Sequence, residues 1–397
     1  MPKPRLLIIL NRLAIGGPAS NTLALASLLS NEFDILLVAG EPLPDEQSAS
    51  FLLDRYKGFR VEIIRSFKRA VLPTQDVSAY LRLRHIIKEF QPQIIHTHGS
   101  KPGVLGRLAA RQLKVPVIVH TYHGHVFHSY FNSFISSLII QLERKLAGIS
   151  TALIAINEKL KQELTAVYKI ATSEKVALNK LGIDSHQLQL NREQHRSAFR
   201  NEFQLGNQEL AIGIIGRLVP IKQHRLFIEL VEALLKEETN IPLRFFIIGD
   251  GEEKKYLKEL LNTKQISFTE DKNNHKATVT FTSWRTDIDV VLAGLDMVVL
   301  TSLNEGTPVS ILEAMSVGRP VVATNVGGIT ELFSKSGAGF VCDSLADMVQ
   351  RVLLLIRNPE LRNEMGRAGE QYAEANLSVS KQAQELAAVY RKKAGLH

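Results

Sequence analysis

Short runs of valine, isoleucine and leucine recur along the chain, each closed by a glycine or polar turn and followed by a stretch with helical spacing, and the series starts twice. In the first series, apolar runs at 6–10, 33–38, 60–64, 94–96, 115–120 and 152–156 alternate with candidate helices. The opening run leads into the turn Ile15-Gly16-Gly17-Pro18. Apolar runs without alternation mark strands buried on both faces, and regular strand–helix alternation predicts a parallel sheet covered by helices on both sides. The texture then turns polar and charged from 170 to 208, through Gly182-Ile183-Asp184, and the pattern restarts with strands at 211–215, 244–248, 279–281, 297–300 and 321–323. The reading is an α/β chain of two doubly wound domains, 1–182 and 183–380, with 381–397 as a last helix free to cross back to the first domain. A ligand is expected in a cleft where the carboxyl edges of the two sheets face one another.

Charge separates the halves. Residues 1–182 carry 23 Lys and Arg against 13 Asp and Glu, whereas residues 183–397 carry 25 against 27. The basic half invites an anionic partner. Its cations are scattered, with no aromatic-interleaved patch, so nucleic acid is set aside and an anionic membrane surface is kept. A helix at 131–147 with Phe134, Ile135, Leu138, Ile139 and Leu142 beside Arg144 and Lys145 would suit such a surface, with ordinary burial an equal alternative. One cysteine, Cys342, excludes an internal disulfide or a cysteine-built zinc site. No charge-free apolar run is long enough to span a bilayer, and the first residues lack a cleavage signature. The expected location is cytoplasmic, with peripheral attachment at the inner membrane face as an option.

The stretch 297–332 concentrates the chemistry. A buried strand gives way to a polar loop, and Thr307 and Pro308 are predicted as N-cap and first residue of a helix. The first-turn amides of Gly306, Val309 and Ser310, with the helix dipole, suit a phosphate. Glu305 lies in the loop, and Glu313 lies in the helix among Ile311, Leu312, Ala314 and Met315. A carboxylate there is costly unless something hydrogen-bonds it, as a hydroxyl-rich ligand would.

Six of the twelve histidines fall between His96 and His128, after two successive strands, and converge on one sheet edge. No metal site is assigned, because carboxylate partners at fixed spacing are missing. Asp287-Ile288-Asp289 is read as helix capping and exposed charge. Gly249-Asp250-Gly251 lacks the third glycine of a dinucleotide fingerprint, which disfavours a nicotinamide cofactor.

Four segments stand in a specific order: GRLVPIKQ at 216–223, IIGDGEE at 247–253, FTSWRTDIDVVLAGLDMVVLTS at 281–302, and the run from EGTPVSILEAM to GGITEL. In this order they resemble the retaining glycosyltransferases of family 4, and Gly16-Gly17, the 96–99 segment and the 121–125 segment extend the likeness over nearly the whole chain. The resemblance implies the GT-B fold, two Rossmann-like domains facing across a cleft, and no cofactor or metal. It implies that Arg217 and Lys222, after Gly216, clamp the diphosphate of a nucleotide-sugar, and that Gly306, Thr307 and Val309 offer amides to the distal phosphate. Glu305 would contact sugar hydroxyls and Glu313 the ribose, while Gly16 and Gly17 let the backbone approach the diphosphate. Trp284 and Arg285 fall where the family places the base pocket, with core packing of the tryptophan an alternative. His123 matches the donor-site histidine, and His125 and His128 would face the acceptor. Two positions depart from the pattern: Leu181 stands before Gly182 where asparagine is frequent, and Gln223-His224 stands where glycine is common.

The function so implied is hexosyl or N-acetylhexosaminyl transfer with retention, from a nucleotide-sugar (UDP-linked by preference) to a saccharide acceptor, lipid-linked and in surface polysaccharide or glycoconjugate assembly. Front-face attack is favoured, the leaving phosphate taking the acceptor's proton. The alternatives are an epimerase or phosphorylase on the same fold, and a non-catalytic sugar-nucleotide-binding protein.

Overall fold

The computed structural model describes residues 2–43, 46–68, 72–124, 133–274 and 276–396. The chain forms two compact units, Met1–Gly182 with Val379–His397, and Ile183–Ser378. The return to the first unit thus comes at Val379, two residues before the expected 381.

The first unit holds seven parallel strands: β1 (Arg5–Arg12), β2 (Asp34–Gly40), β3 (Arg60–Ile64), β4 (Ile94–His98), β5 (Val117–Tyr122), β6 (Ala152–Ala155) and β7 (Val176–Leu178), in the order β3-β2-β1-β4-β5-β6-β7. Successive side chains of a strand point to opposite faces, and β1 shows what its uninterrupted apolar run is for. Leu6, Ile8 and Leu10 join one core, and Leu7 and Ile9 the other. The first core is covered by the helices Gly17–Leu29 and Val379–Ala394, the second by Pro73–Phe90 and Ser100–Gln112. The closing helix therefore belongs to the first unit's core, where Tyr390 is fully buried and meets Phe33 edge-on at 5.6 Å. Its Gln382 amide oxygen accepts from the Gly182 amide and from Asn21, which also donates to the Gly182 carbonyl.

The second unit repeats the plan with β8 (Leu210–Ile215), β9 (Leu243–Ile248), β10 (Phe268–Thr269), β11 (Val279–Ser283), β12 (Met297–Leu300), β13 (Val321–Thr324) and β14 (Gly339–Cys342), ordered β10-β11-β9-β8-β12-β13-β14 and parallel throughout. Its ends lie side by side, with the Ile183 amide donating to the Leu377 carbonyl at 2.7 Å. One face of the sheet buries Ile212, Phe245, Val299 and Phe227. On β9, the oppositely directed Phe246 packs against Phe199 and Phe203, ring centroids 5.1 Å from each. The helix Arg192–Glu202 approaches closely because Gly294 has no side chain: a Cβ there would lie 2.2 Å from the Phe199 ring. Among the described residues no helix is long and apolar enough to cross a membrane.

The three strands that the sequence did not show, β7, β10 and β14, all sit at sheet edges. They are two to four residues long and partly exposed, too short to stand out as the apolar runs of the interior strands do.

Candidate functional site

In a doubly wound sheet the crevice for a ligand lies at the carboxyl ends of the two strands where the winding reverses. In the second unit these are β8 and β12, because β9 follows β8 on one side and β12 lies on the other. After β8 the chain turns through Gly216 and Arg217 to the short 3-10 turn Pro220–Lys222, then enters the helix His224–Leu235. After β12 it forms the loop holding Glu305, then the helix Val309–Ser316. The loops are joined at the backbone, the Leu303 amide donating to the Ile221 carbonyl at 2.9 Å and the Thr301 hydroxyl to the Lys222 carbonyl at 3.0 Å.

This clamp brings Lys222 and Glu305 together. Lys222 Nζ donates to Glu305 Oε1 at 2.5 Å, and the Ser302 hydroxyl donates to the same oxygen at 2.6 Å. The carboxylate is 12% exposed and the lysine 25%. The lysine stem runs over Gly216, where a Cβ would already touch its Cδ at 3.8 Å. These residues carry separate expected roles, and the fold adds that each neutralises the other.

Two glycine pairs hold the loops. Gly249 and Gly251 adopt φ of +135° and +156°, and a Cβ on them would lie 2.1 Å from the Gly216 carbonyl and 2.5 Å from that of Leu218. That close approach is the structural reason for the Gly-Asp-Gly sequence, and the Leu218 amide donates to the Asp250 carbonyl beside it. Gly327, at φ +58°, backs the Glu305 loop: a Cβ would lie 2.1 Å from the Glu305 carbonyl oxygen, while the Gly328 amide donates to the Gly306 carbonyl. The Gly327-Gly328 doublet is the mark of this support in the sequence.

The N-cap of the helix Val309–Ser316 is Pro308, not Thr307. Pro308 takes an extended ψ of 119°, which shifts the helix start one residue on, and no side chain caps it. The first amides of the helix have no intrahelical acceptor by geometry, as an anion site needs. Glu313 lies one turn in, and no described residue hydrogen-bonds its carboxylate. Burial alone pushes its pKa up to about 7.

Trp284 is half-buried rather than a core residue. Arg285 is committed within the unit: its guanidinium donates to Glu202 at 2.7 and 2.9 Å and to Asp287 at 2.8 and 2.6 Å. Asp287 occupies the N-cap position of the helix Ile288–Gly294 without capping it, because its carboxylate is drawn back to Arg285. The capping expected of Asp287 is therefore absent.

In the first unit the winding reverses between β1 and β4. Gly16, at φ +153°, is the N-cap of the helix that Gly17 begins, and a Cβ on it would meet nothing within 4 Å. Beyond β4 and β5 the histidines gather. His98 Nδ1 lies 2.9 Å from His123 Nε2, and the His96 ring lies 4.1 Å from that of His98. His96 is fixed by Tyr390 at 2.5 Å and Thr121 at 2.7 Å, and His120 by Thr97 at 2.8 Å. Burial lowers the pKa of His96 to about 3 and of His123 to about 4, and holds His98 and His120 well below the usual value. All four are neutral near pH 7. Beside them Arg107 and Tyr122 share the buried carboxylate of Glu143. His125 and His128 lie outside the described residues. Among the described residues no three His, Cys, Asp or Glu side chains form a metal-holding group.

Comparison with known proteins agrees with this architecture. Residues 195–372 match the family model for glycosyl transferases group 1, and residues 15–187 that for glycosyltransferase family 4. The chain is 30% identical over 334 residues to an Escherichia coli UDP-Gal:alpha-D-GlcNAc-diphosphoundecaprenol alpha-1,3-galactosyltransferase, covering 83% of this chain and 81% of that protein. It is 23% identical to the Staphylococcus aureus capsular polysaccharide biosynthesis glycosyltransferase CapM, covering 81% and 83% of the two chains. Among solved structures, Anabaena Alr3699/HepE in complex with UDP-glucose superposes with a TM-score of 0.77 at 19% identity, covering 98% of this chain and 99% of that one. Sucrose-phosphate synthase from Thermosynechococcus elongatus gives 0.79 at 15% identity, covering 98% of each. Two parallel seven-stranded sheets, matched family models over both units and a 30% identical relative identify the chain as a glycosyltransferase of family 4 with the GT-B fold.

Proposed function

We propose that the chain transfers a hexosyl or N-acetylhexosaminyl group from a UDP-sugar to a saccharide acceptor, with retention at the anomeric carbon and without a metal. The observation that carries this reading is the Lys222–Glu305 pair at the point where the second sheet's winding reverses, one loop from an uncapped helix N-terminus. Lys222 and Arg217 are assigned to the diphosphate, with amides of Gly306, Thr307 and Val309 at its distal phosphate. Glu305 is assigned to sugar hydroxyls and Glu313 to the ribose, with Trp284 beside the base. In the first unit, Gly16 and Gly17 give backbone access to phosphate, and His123 contacts the sugar. As the glycosidic bond breaks, negative charge grows on the departing diphosphate, and fixed cations and amides stabilise it there. A phosphate oxygen then takes the acceptor's proton on the same face.

The acceptor is proposed to be a lipid-linked saccharide of surface polysaccharide or glycoconjugate assembly. The E. coli relative, named for a diphosphoundecaprenol-linked acceptor, supports this. So does the helix Ser133–Ile149, which exposes Phe134 (71%), Leu138 (56%) and Leu142 (42%) with Lys145 on the same side, as an anionic bilayer would require. Flotation with anionic liposomes at low salt should carry the protein upward, and failure to float removes the membrane part. Calorimetric titration with UDP, GDP and ADP tests the donor: UDP should bind most tightly, and absence of binding to all three would reject the transferase reading.

A further inference from the structure

The two hydrogen-bond donors on Glu305 Oε1 differ in what else they can reach. The Lys222 side chain is 25% exposed and is assigned to the diphosphate, whereas Ser302 is 1% exposed and cannot touch a ligand. We propose that Ser302 is a positioning residue that fixes the rotation of the Glu305 carboxylate, so that Oε1 anchors the group and Oε2 is presented to the hydroxyls of the donor sugar. This rests on the reading of Glu305 as the sugar contact. It adds which oxygen acts, what orients it, and where discrimination between hexose epimers arises.

Both ends of the serine–glutamate contact are fixed by backbone. β12 ends at Leu300, and Thr301 and Ser302 carry the chain on into the loop. The Thr301 hydroxyl donates to the Lys222 carbonyl at 3.0 Å, and the Ser302 carbonyl accepts from the Thr324 hydroxyl, at the end of β13, at 2.7 Å. The following residue, Leu303, donates its amide to Ile221. Two residues further, the Glu305 carbonyl lies so close to Gly327 that a Cβ there would be 2.1 Å away. Between these fixed points the Ser302 hydroxyl lies 2.6 Å from Glu305 Oε1, and it is the donor, since a carboxylate offers only acceptors.

The last torsion of a glutamate is broad and two-fold, so an unheld carboxylate exchanges its two oxygens readily. Lys222 also holds Oε1, at 2.5 Å, but its ammonium rides on a flexible four-carbon stem and is drawn toward any diphosphate that binds beside it. The serine is short, buried and tied by its own backbone, so its hold on Oε1 does not depend on the ligand. With Oε1 held twice, Oε2 accepts from no described residue, and the side chain stays 12% exposed at the carboxyl ends of β8 and β12. Epimeric hexoses differ in the direction of one hydroxyl, and a site rejects the wrong direction only when its acceptor is held still.

Calorimetric titration with UDP, UDP-glucose, UDP-galactose, UDP-N-acetylglucosamine and UDP-N-acetylgalactosamine tests this. The native protein should prefer one sugar over its 4-epimer. Ser302→Ala should weaken binding of that UDP-sugar by ~10-fold and bring the two epimers within about threefold of each other, while UDP affinity stays within about twofold. In a Glu305→Ala background the same change should alter UDP-sugar affinity by less than about twofold, because the group it orients is gone. An unaltered epimer preference in Ser302→Ala overturns the proposal, as does native binding that ignores the epimer. Equal losses for UDP and UDP-sugar, or a full additive loss in the double variant, would mean that the serine shapes the loop as a whole and would also overturn it. Glu305→Ala separates the two readings: a native sugar preference in that variant defeats the sugar contact itself, whereas a preference lost in Glu305→Ala and kept in Ser302→Ala defeats only the positioning.

Discussion

The carboxyl edges of the two sheets are topologically alike and chemically opposite. At β8 and β12 the fold gathers formal charge, with Lys222 against Glu305 and an uncapped helix start beside them. At β4 and β5 it gathers four imidazoles that burial keeps uncharged. The contrast fits a division of labour. Stabilising a departing diphosphate requires fixed positive charge, whereas orienting a sugar hydroxyl requires neutral donors and acceptors that do not compete for the proton.

The contrast breaks most sharply at Lys222. Lys222→Ala should lower turnover by roughly 10²–10³ in a nucleotide-sugar assay, the cost of losing one electrostatic donor to the transition state. It also strands the Glu305 carboxylate, held otherwise by Ser302. The double variant Lys222→Ala/Glu305→Gln should therefore regain thermal stability without regaining turnover. Turnover restored by the second change would mean that the pair is structural and would cancel the difference between the edges.

Gly327→Ala should come next. Its φ of +58° and the 2.1 Å approach of a Cβ to the Glu305 carbonyl leave no room for a side chain. Strain of about 1–3 kcal/mol is expected from the backbone conformation, before any movement of the loop. Chemical denaturation should show this loss together with weaker UDP binding. Full stability and binding in the variant would detach Gly327 from the Glu305 loop.

Glu313 gives a smaller effect with opposite signs in stability and binding. Its folded pKa is raised from the ordinary 4.5 to about 7. Between those values the folded chain holds a proton that the unfolded chain has lost, so this group's contribution to stability is greatest below about pH 4.5 and declines until about pH 7. Glu313→Gln should raise the Tm above pH 7 and leave it unchanged in acid. Ribose hydroxyls bind the ionised form better, so native UDP affinity should rise with pH through about 7, and the Gln variant should lose that dependence. A lower Tm at alkaline pH would show that the carboxylate has a partner within the fold.

How much of this was legible in the sequence follows from the range of each interaction. Interior strands announced themselves by apolar runs, because burial on two faces favours apolar side chains; the polar residues that close β4 and β5 are buried in mutual hydrogen bonds. The edge strands β7, β10 and β14 did not, since two to four residues are too few to register as a run. The 170–208 stretch reads as polar and charged, yet Phe199 and Phe203, one helical turn apart, anchor it on Phe246. Glu313 was conspicuous as a carboxylate among apolar neighbours. That no described residue bonds its carboxylate depends on residues distant in sequence, as does the meeting of Lys222 with Glu305 across 83 positions. Asp287 was misread for the same reason: its spacing suggested a cap, and Arg285, already held by Glu202, drew the carboxylate away.

The smallest effect tests the neutral edge. Tyr390, carried on the closing helix, meets His96 Nδ1 at 2.5 Å, and Thr121 holds the other nitrogen at 2.7 Å. Tyr390→Phe removes one partner and leaves a buried ring nitrogen unsatisfied, a cost of about 1–3 kcal/mol that a lower denaturation midpoint would register. His96 is itself 1% exposed, so it cannot touch a ligand, and turnover should stay near native. A large fall in kcat at intact stability would place the tyrosine–histidine chain within the chemistry. The neutral edge would then be an extended proton-ordering network, and the division between a charged and an uncharged edge would have to be drawn elsewhere.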